Sequence, residues 1–139
     1  MTYLPTKGDT LIRWFLRGVA STQQALVDAL NAGGLYWDPA VQYGQTGTVF
    51  LHVLLETSNA GIAAFARVFQ STGTGSPQAI GTAVTTASLT PAHLTLDLSA
   101  VFAHGGTAAA GVYDLQVYLA SYDRTTFAVC SGAWLEITR

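Results

Sequence analysis

The chain has 139 residues, half of them hydrophobic and only 10% charged, with 6 basic and 8 acidic side chains and a formal net charge of −2. That length supports one compact domain with a real core rather than two, and the near-neutral balance lacks the clustered Lys and Arg that nucleic acid or an anionic membrane would require. The charged fraction is well under the roughly 25% typical of soluble domains, so the surface must be Thr, Ser, Ala, Gly and Gln, or be covered by something other than water.

Cys130 is the single cysteine, which excludes an internal disulfide framework and leaves stability to packing or oligomerisation. The opening Met1 to Asp9 lacks a basic segment followed by an apolar run, and polar residues or glycines interrupt every apolar block before it reaches membrane-span length. The expectation is a protein made and kept soluble in a cytoplasm, or assembled there.

Thr10 to Gly18 fits two periods. Leu11, Phe15 and Val19 would line a helix, whereas Ile12, Trp14 and Leu16 alternate with Arg13 and Arg17; Gly18 and the aromatic content favour a strand. Ser21-Thr-Gln-Gln24 has the form of a capping box, with Ala25, Leu26, Ala29 and Leu30 at helical spacing and Gly33-Gly34 as a stop, so one short helix is expected there. Tyr36-Trp37-Asp38-Pro39 reads as an aromatic plug at one end of a sandwich. From Thr48 onward the period is two. Thr48 to Glu56 sets Val49, Leu51, Val53 and Leu55 against Phe50, His52, Leu54 and Glu56, and Ile62 to Gln70 alternates again after a turn at 58–61, so the two runs read as a hairpin.

Ser71 to Pro77 is loop chemistry, and Ala79 to Ala87 is a Thr-rich edge strand. Leu94, Leu96 and Leu98 alternate with Thr95 and Asp97. A small-residue loop from His104 to Gly111 leads to Tyr113, Leu115, Val117 and Leu119; a turn at 121–125, a return over Phe127 to Val129 and a last strand over Trp134 to Thr138 follow. Short strands at about ten-residue intervals predict an all-β, antiparallel β-sandwich, immunoglobulin-like or jelly-roll, because neither sheet could bury its apolar face alone. The chain reads as one domain over 1–139, with 1–47 as a strand and helix segment packed on the sandwich.

Titratable groups are sparse and give no catalytic pattern. His52, His93 and His104 could meet Asp97 or Asp114 around a metal, yet no two lie at i, i+2 or i, i+4 and the plainer reading is isolated rim histidines. Cys130 reads as a small buried hydrophobe rather than a nucleophile, since no helix N-terminus or basic neighbour would lower its pKa. Glu56, Asp97 and Asp114 sit on polar sides of strands and form no acid pair of the glycoside-hydrolase kind. The glycines at 73, 75, 105 and 106 lie between strands with no Lys, so no phosphate cradle is indicated. Tyr36, Trp37, Tyr43, Tyr118, Tyr122 and Trp134 could stack on sugars, or serve as core plugs and interface anchors. Arg13 and Arg17 beside Trp14 either clamp an acidic partner or solvate the first strand; Tyr, Trp and Arg are also enriched at interface centres.

Lys7-Gly8-Asp9-Thr10 before an alternating strand resembles the opening of the small immunoglobulin-like domains of bacteriophage tail and baseplate proteins, including the N-terminal domain of the baseplate upper protein. Gly111-Val-Tyr113-Asp114-Leu115-Gln-Val117, then Ser131-Gly132-Ala-Trp-Leu135-Glu-Ile137-Thr138-Arg139, is similar to that family's closing hairpin, and Asp28 to its Asp-Leu turn; the matches span roughly a third of the chain. The sandwich also resembles the trimeric jelly-roll proteins that decorate phage capsids. The resemblance implies a non-enzymatic virion structural protein, assembled in the host cytoplasm, with no cofactor. Its implied partners are copies of itself, as a trimer if it follows the decoration proteins, and a major capsid or tail protein; a host-glycan binding module is the alternative. Candidate interface residues are Arg13, Trp14, Arg17, Tyr36, Trp37, Ile80 and Val84, the last two within the uncharged stretch Val68 to Leu96.

Overall fold

The computed structural model describes residues 10–21, 30–38, 47–70 and 78–138, with 10–21, 30–34 and 78 described through their backbone. Eight strands are present among them: β1 (Thr10–Ser21), β2 (Leu30–Trp37), β3 (Thr48–Thr57), β4 (Ala64–Gln70), β5 (Gln78–Thr86), β6 (Ala92–Asp97), β7 (Gly111–Leu119) and β8 (Ala128–Thr138), with one four-residue helix, α1 (Ser99–Phe102). They form two antiparallel four-stranded sheets, ordered β1-β8-β3-β6 and β2-β7-β4-β5. The expected all-β sandwich is what the chain builds.

The pairings β1 with β8, β2 with β7, β3 with β6 and β4 with β5 are all antiparallel, and in each the residue numbers of facing partners add to nearly the same total, from Thr10↔Thr138 to Gln70↔Gln78. The chain is thus folded once at its middle into a long two-stranded ribbon. Rolling that ribbon adds β3·β8 and β4·β7 and splits it into two sheets. This is the eight-strand jelly roll, and it settles the choice left between that topology and an immunoglobulin-like one.

Three expectations change with it. β3 and β4 are not a hairpin, because β3 lies in one sheet and β4 in the other. β7 and β8 likewise lie in different sheets, so the closing hairpin of the immunoglobulin-like resemblance is absent. The returns over Phe127 to Val129 and Trp134 to Thr138 are one strand, β8, in which Ser131 bulges out against β3 between Leu54↔Gly132 and Leu55↔Cys130.

At the N-terminal side, Thr10 to Gly18 is strand as expected. The capping-box segment 22–29 lies outside the described residues, but its proposed stop, Gly33-Gly34, is inside β2, paired with β7 across a register shift between Asn31 and Gly34. The strands at 10–21 and 30–37 are therefore built into the two sheets rather than packed onto a finished sandwich. Tyr36 and Trp37 belong to a regular strand, β2, and of the two it is Trp37 alone that plugs an end of the sandwich as expected. The loop at 71–77 is outside the described residues, whereas β5 is the expected edge strand, interrupted between Val84 and Ile80 where Gly81 takes φ +70.

The core lies between the sheets. Val49, Leu51, Val53 and Leu55 of β3, Tyr113, Leu115, Val117 and Leu119 of β7, and Leu135 and Ile137 of β8 point inward and are buried. The inner face of β4 is small, with Ala64, Ala66 and Val68 opposite these leucines, while its larger Phe65, Arg67 and Phe69 face outward. Within their own sheet these small β4 residues pair with the larger Leu119, Val117 and Leu115 of β7, and β8 in the other sheet buries Ala128, Cys130 and Ala133, so both inner faces mix large and small side chains. One end is closed by Trp37, Phe102 and Tyr113, all fully buried. Their rings meet edge to face at 5.6 and 4.9 Å, and the Trp37 indole donates to the Phe102 carbonyl at 3.0 Å. Helix α1 holds Phe102 there; it is pinned where the Ser99 hydroxyl accepts from the Val49 amide at 2.9 Å and Asp97 accepts from the Ser99 amide at 2.9 Å. The Ser99 side chain and amide beside it hold the Asp97 carboxyl below its ordinary range.

Candidate functional site

At the end of the sandwich opposite Trp37, the β3–β4, β5–β6 and β7–β8 loops meet. The Thr57 amide donates to Ser88 O at 2.9 Å and the Ser58 amide to Phe127 O at 3.0 Å, while the Phe127 amide donates to Ser58 Oγ at 2.9 Å. A polar chain ties the loops together inside: buried Thr57 Oγ1 donates to Ile62 O at 2.7 Å, Asn59 Nδ2 to Thr126 Oγ1 at 3.4 Å, and buried Thr126 Oγ1 to Asp123 Oδ2 at 2.7 Å. Asp123 Oδ1 also accepts the Thr125 and Thr126 amides at 2.9 and 2.7 Å. These bonds, led by those from Thr126, pull the Asp123 carboxyl from 3.8 to about 2.

On this braced end stand three exposed apolar side chains: Leu89, 60% exposed, Tyr122, 54%, and Phe127, 44%. Asp123 and Arg124 are the only charged residues in loops 58–63, 87–91 and 120–127, and Arg124 takes a positive φ of 73°. Left-handed backbone is disfavoured for a side chain of this size, so the loop closes at Arg124 against local preference, held by the Asp123 bonds. The result is an apolar, sparsely charged rim on a fixed scaffold.

A second cluster lies on the outer face of the β1-β8-β3-β6 sheet. His52 of β3 sits opposite Trp134 of β8, with the two rings parallel within 4° at 5.0 Å. On the other side His52 Nδ1 is 2.8 Å from His93 Nε2 of β6, and His52 Nε2 is 3.3 Å from Glu136 Oε1. His93 pairs with Leu54, one step of the pleat from His52, so its ring reaches diagonally across the strands. The histidines expected to be isolated are therefore partly joined: His52 and His93 meet, whereas His104 stays apart in the exposed loop before β7. No group of three or more metal-ligating side chains occurs among the described residues.

The other sheet's outer face carries Arg67, whose Nε donates to Gln116 at 2.8 Å and whose guanidinium lies 5.0 Å from the Tyr118 ring and 5.8 Å from that of Phe69. Phe65 stacks on Tyr118 at 5.2 Å. Arg67 is thereby committed to its own sheet. A groove of about 240 Å³ between β5 and residues 107–109 has no titratable side chain in its lining.

Of the candidate interface residues, Tyr36 is exposed on the second sheet, but Trp37 is fully buried and Val84 nearly so, and Ile80 packs on the core. Trp37 and Val84 serve the molecule's own interior, because alternation turns each inward while its neighbour faces water. The side chains of Arg13, Trp14 and Arg17 are outside the described residues; β1 register sets Trp14 opposite Trp134. Tyr43 also lies outside them. Cys130 is buried as expected, its thiol pushed up by that burial and donating to Gly132 O at 3.4 Å. Sequence reasoning missed Leu89 and Phe127, whose signal was an apolar residue set among turn formers, and Glu136, which only the strand order brings to His52.

No family model matches the chain, and no curated protein matches it. Among solved structures, the chain is similar to the infectious bursal disease virus VP2 subviral particle protein, at 13% identity and a TM-score of 0.49 over 94% of this chain and 33% of that one. It is also similar to a family two carbohydrate esterase from Cellvibrio japonicus, at 12% identity and a TM-score of 0.29 over 96% of this chain and 34% of that one. The chain spans about a third of the length of each.

Proposed function

We propose that the protein is a non-enzymatic structural subunit of a virus particle, a bacteriophage decoration or adaptor protein that docks the loop end of its jelly roll on a capsid or tail neighbour and associates with copies of itself. The observation that carries this reading is the rim of Leu89, Tyr122 and Phe127 held on loops braced by the Thr57, Asn59, Thr126 and Asp123 network. Surface fixed before binding loses little entropy on docking, and apolar area gains about 25 cal/mol per Å² when covered, before ordering costs. The low charge suits such contacts, since few ions have to be desolvated.

Light scattering of the purified protein at micromolar concentration, and co-sedimentation with phage particles lacking it, test the reading. The wild type should associate with itself or with particles, and the triple variant Leu89→Ser, Tyr122→Ser, Phe127→Ser should lose that association while keeping a cooperative melt. A wild type that stays monomeric and binds no particle overturns the proposal, as does a variant that associates equally well. The exposed rings of Tyr122 and Phe127 also favour a second reading, a host-glycan module, with Trp37 removed from it by burial. A glycan array in which Tyr122→Ala abolishes a specific signal would decide for that reading.

A further inference from the structure

We infer that His52 and His93 form a two-nitrogen site for a divalent transition cation, zinc, nickel or copper, on the outer face of the first sheet. The protonation pattern follows from Glu136. A carboxylate only accepts, so the contact from His52 Nε2 to Glu136 Oε1 at 3.3 Å puts a proton on Nε2, and in the neutral ring that tautomer has its lone pair on Nδ1. That lone pair faces His93 Nε2 at 2.8 Å. Two imidazole nitrogens from adjacent strands therefore converge on one point, now filled by a shared proton.

The surroundings have the form of a metal-ligand support. A carboxylate on the far nitrogen of a ligating histidine fixes its tautomer and makes it a better donor. The plane of the His52 ring is fixed as well, by Trp134 lying parallel to it at 5.0 Å. β3 is held on both sides, by β8 and β6, so its backbone is an inner strand of the sheet. His52 is mostly shielded, its side chain 15% exposed, whereas His93 is exposed, with its ring 5.7 Å from that of Trp134. Two nitrogens on a tetrahedral zinc at about 2.0–2.1 Å lie roughly 3.3 Å apart, so the exposed His93 ring, now 2.8 Å away and end-on to His52 with ring centres 5.1 Å apart, swings outward to admit the ion. The cation takes the place of the shared proton, His93 carries its proton on Nδ1 instead, and both rings stay neutral.

No third ligand is present among the described residues. Imidazole pairs suit zinc, nickel and copper and not magnesium or calcium, which demand oxygen. The test is calorimetric titration of the intact protein with zinc and nickel chlorides, magnesium chloride as control, against His93→Gln and His104→Gln. His93→Gln removes an exposed ring and leaves the fold's interior alone, which a melt will check. One ion per chain is expected for the wild type and for His104→Gln, at least tenfold weaker binding for His93→Gln, and no heat from magnesium. Nickel or copper should also quench part of the tryptophan fluorescence through Trp134, and His93→Gln should abolish that quenching. Equal affinity in the wild type and His93→Gln, equal binding of magnesium, or no binding below millimolar zinc overturns the proposal.

Discussion

Replacing Trp37 with Phe isolates what the buried end of the sandwich contributes. The substitution removes the indole donor that reaches Phe102 O at 3.0 Å and shrinks a ring packed edge to face on Phe102 at 5.6 Å. Both partners are fully buried, so no water replaces either. A buried carbonyl left without its donor costs about 1–3 kcal/mol, and the lost ring volume adds roughly 1 kcal/mol, for a total of about 2–4 kcal/mol out of the roughly 5–15 kcal/mol typical of a domain. With a urea dependence of about 2 kcal/mol per molar, in the middle of the usual range, the unfolding midpoint should fall by roughly 1–2 M. The neighbouring Tyr36, 57% exposed on the same strand, provides the control: Tyr36→Phe should stay within about 0.5 kcal/mol of wild type. Urea unfolding followed by circular dichroism measures both. Equal shifts, or a silent Trp37→Phe, would refute the assignment of Trp37 to the core.

The Asp123 carboxyl, held at about 2 by the Thr126 and Thr125 bonds, should make stability depend on pH at the loop end. Because its folded pKa lies below the ordinary 3.8, the stabilisation is present above that value and fades as pH falls toward about 2. The midpoint gap between wild type and Asp123→Ala should thus be constant from pH 7 to about 5 and shrink steadily from about 4 to 2; a gap that does not change with pH refutes it. Gly106→Ala and Gly132→Ala should differ sharply. A Cβ at Gly106 would lie 2.3 Å from the Val101 carbonyl oxygen and 2.8 Å from that of Ala103, both backbone, whereas one at Gly132 meets only the Leu54 side chain at 3.7 Å. Thermal melts should show a loss of at least about 2 kcal/mol for the first and about 0.5 kcal/mol or less for the second.

Alternation was enough to find β3, β4, β6, β7 and the inward leucines, because burial on one face imposes a period of two whatever the partner strand. It could not say which sheet a strand joins. The turn at 58–61 has the same local chemistry whether it closes a hairpin or carries the chain from one sheet to the other, and β3 and β4 keep their alternation in both cases. Ser131-Gly132 looked like a break because a bulge interrupts the alternation without ending the strand. Trp37 and Tyr36 looked equivalent as aromatic neighbours, and only their sides of β2 separate them. The histidine pair was invisible for a related reason: His52 and His93 are far apart in sequence and are brought together by the β3·β6 register.

The rolled ribbon has a consequence for how the molecule is made. Among the described strands, β4 and β5 are the only consecutive ones that pair with each other, whereas β8, which follows all the others in the chain, sits between β1 and β3. Thr10 finds its partner only at Thr138. On the ribosome β1 and β3 of the first sheet stay unjoined until β8 emerges between them, so the early strands wait with apolar faces uncovered while the pairing closes outward from the fold-back between β4 and β5. Long loops must close before such contacts form, which makes folding slow and late, and leaves the nascent chain dependent on its thin hydrophobic alternation not finding another copy first.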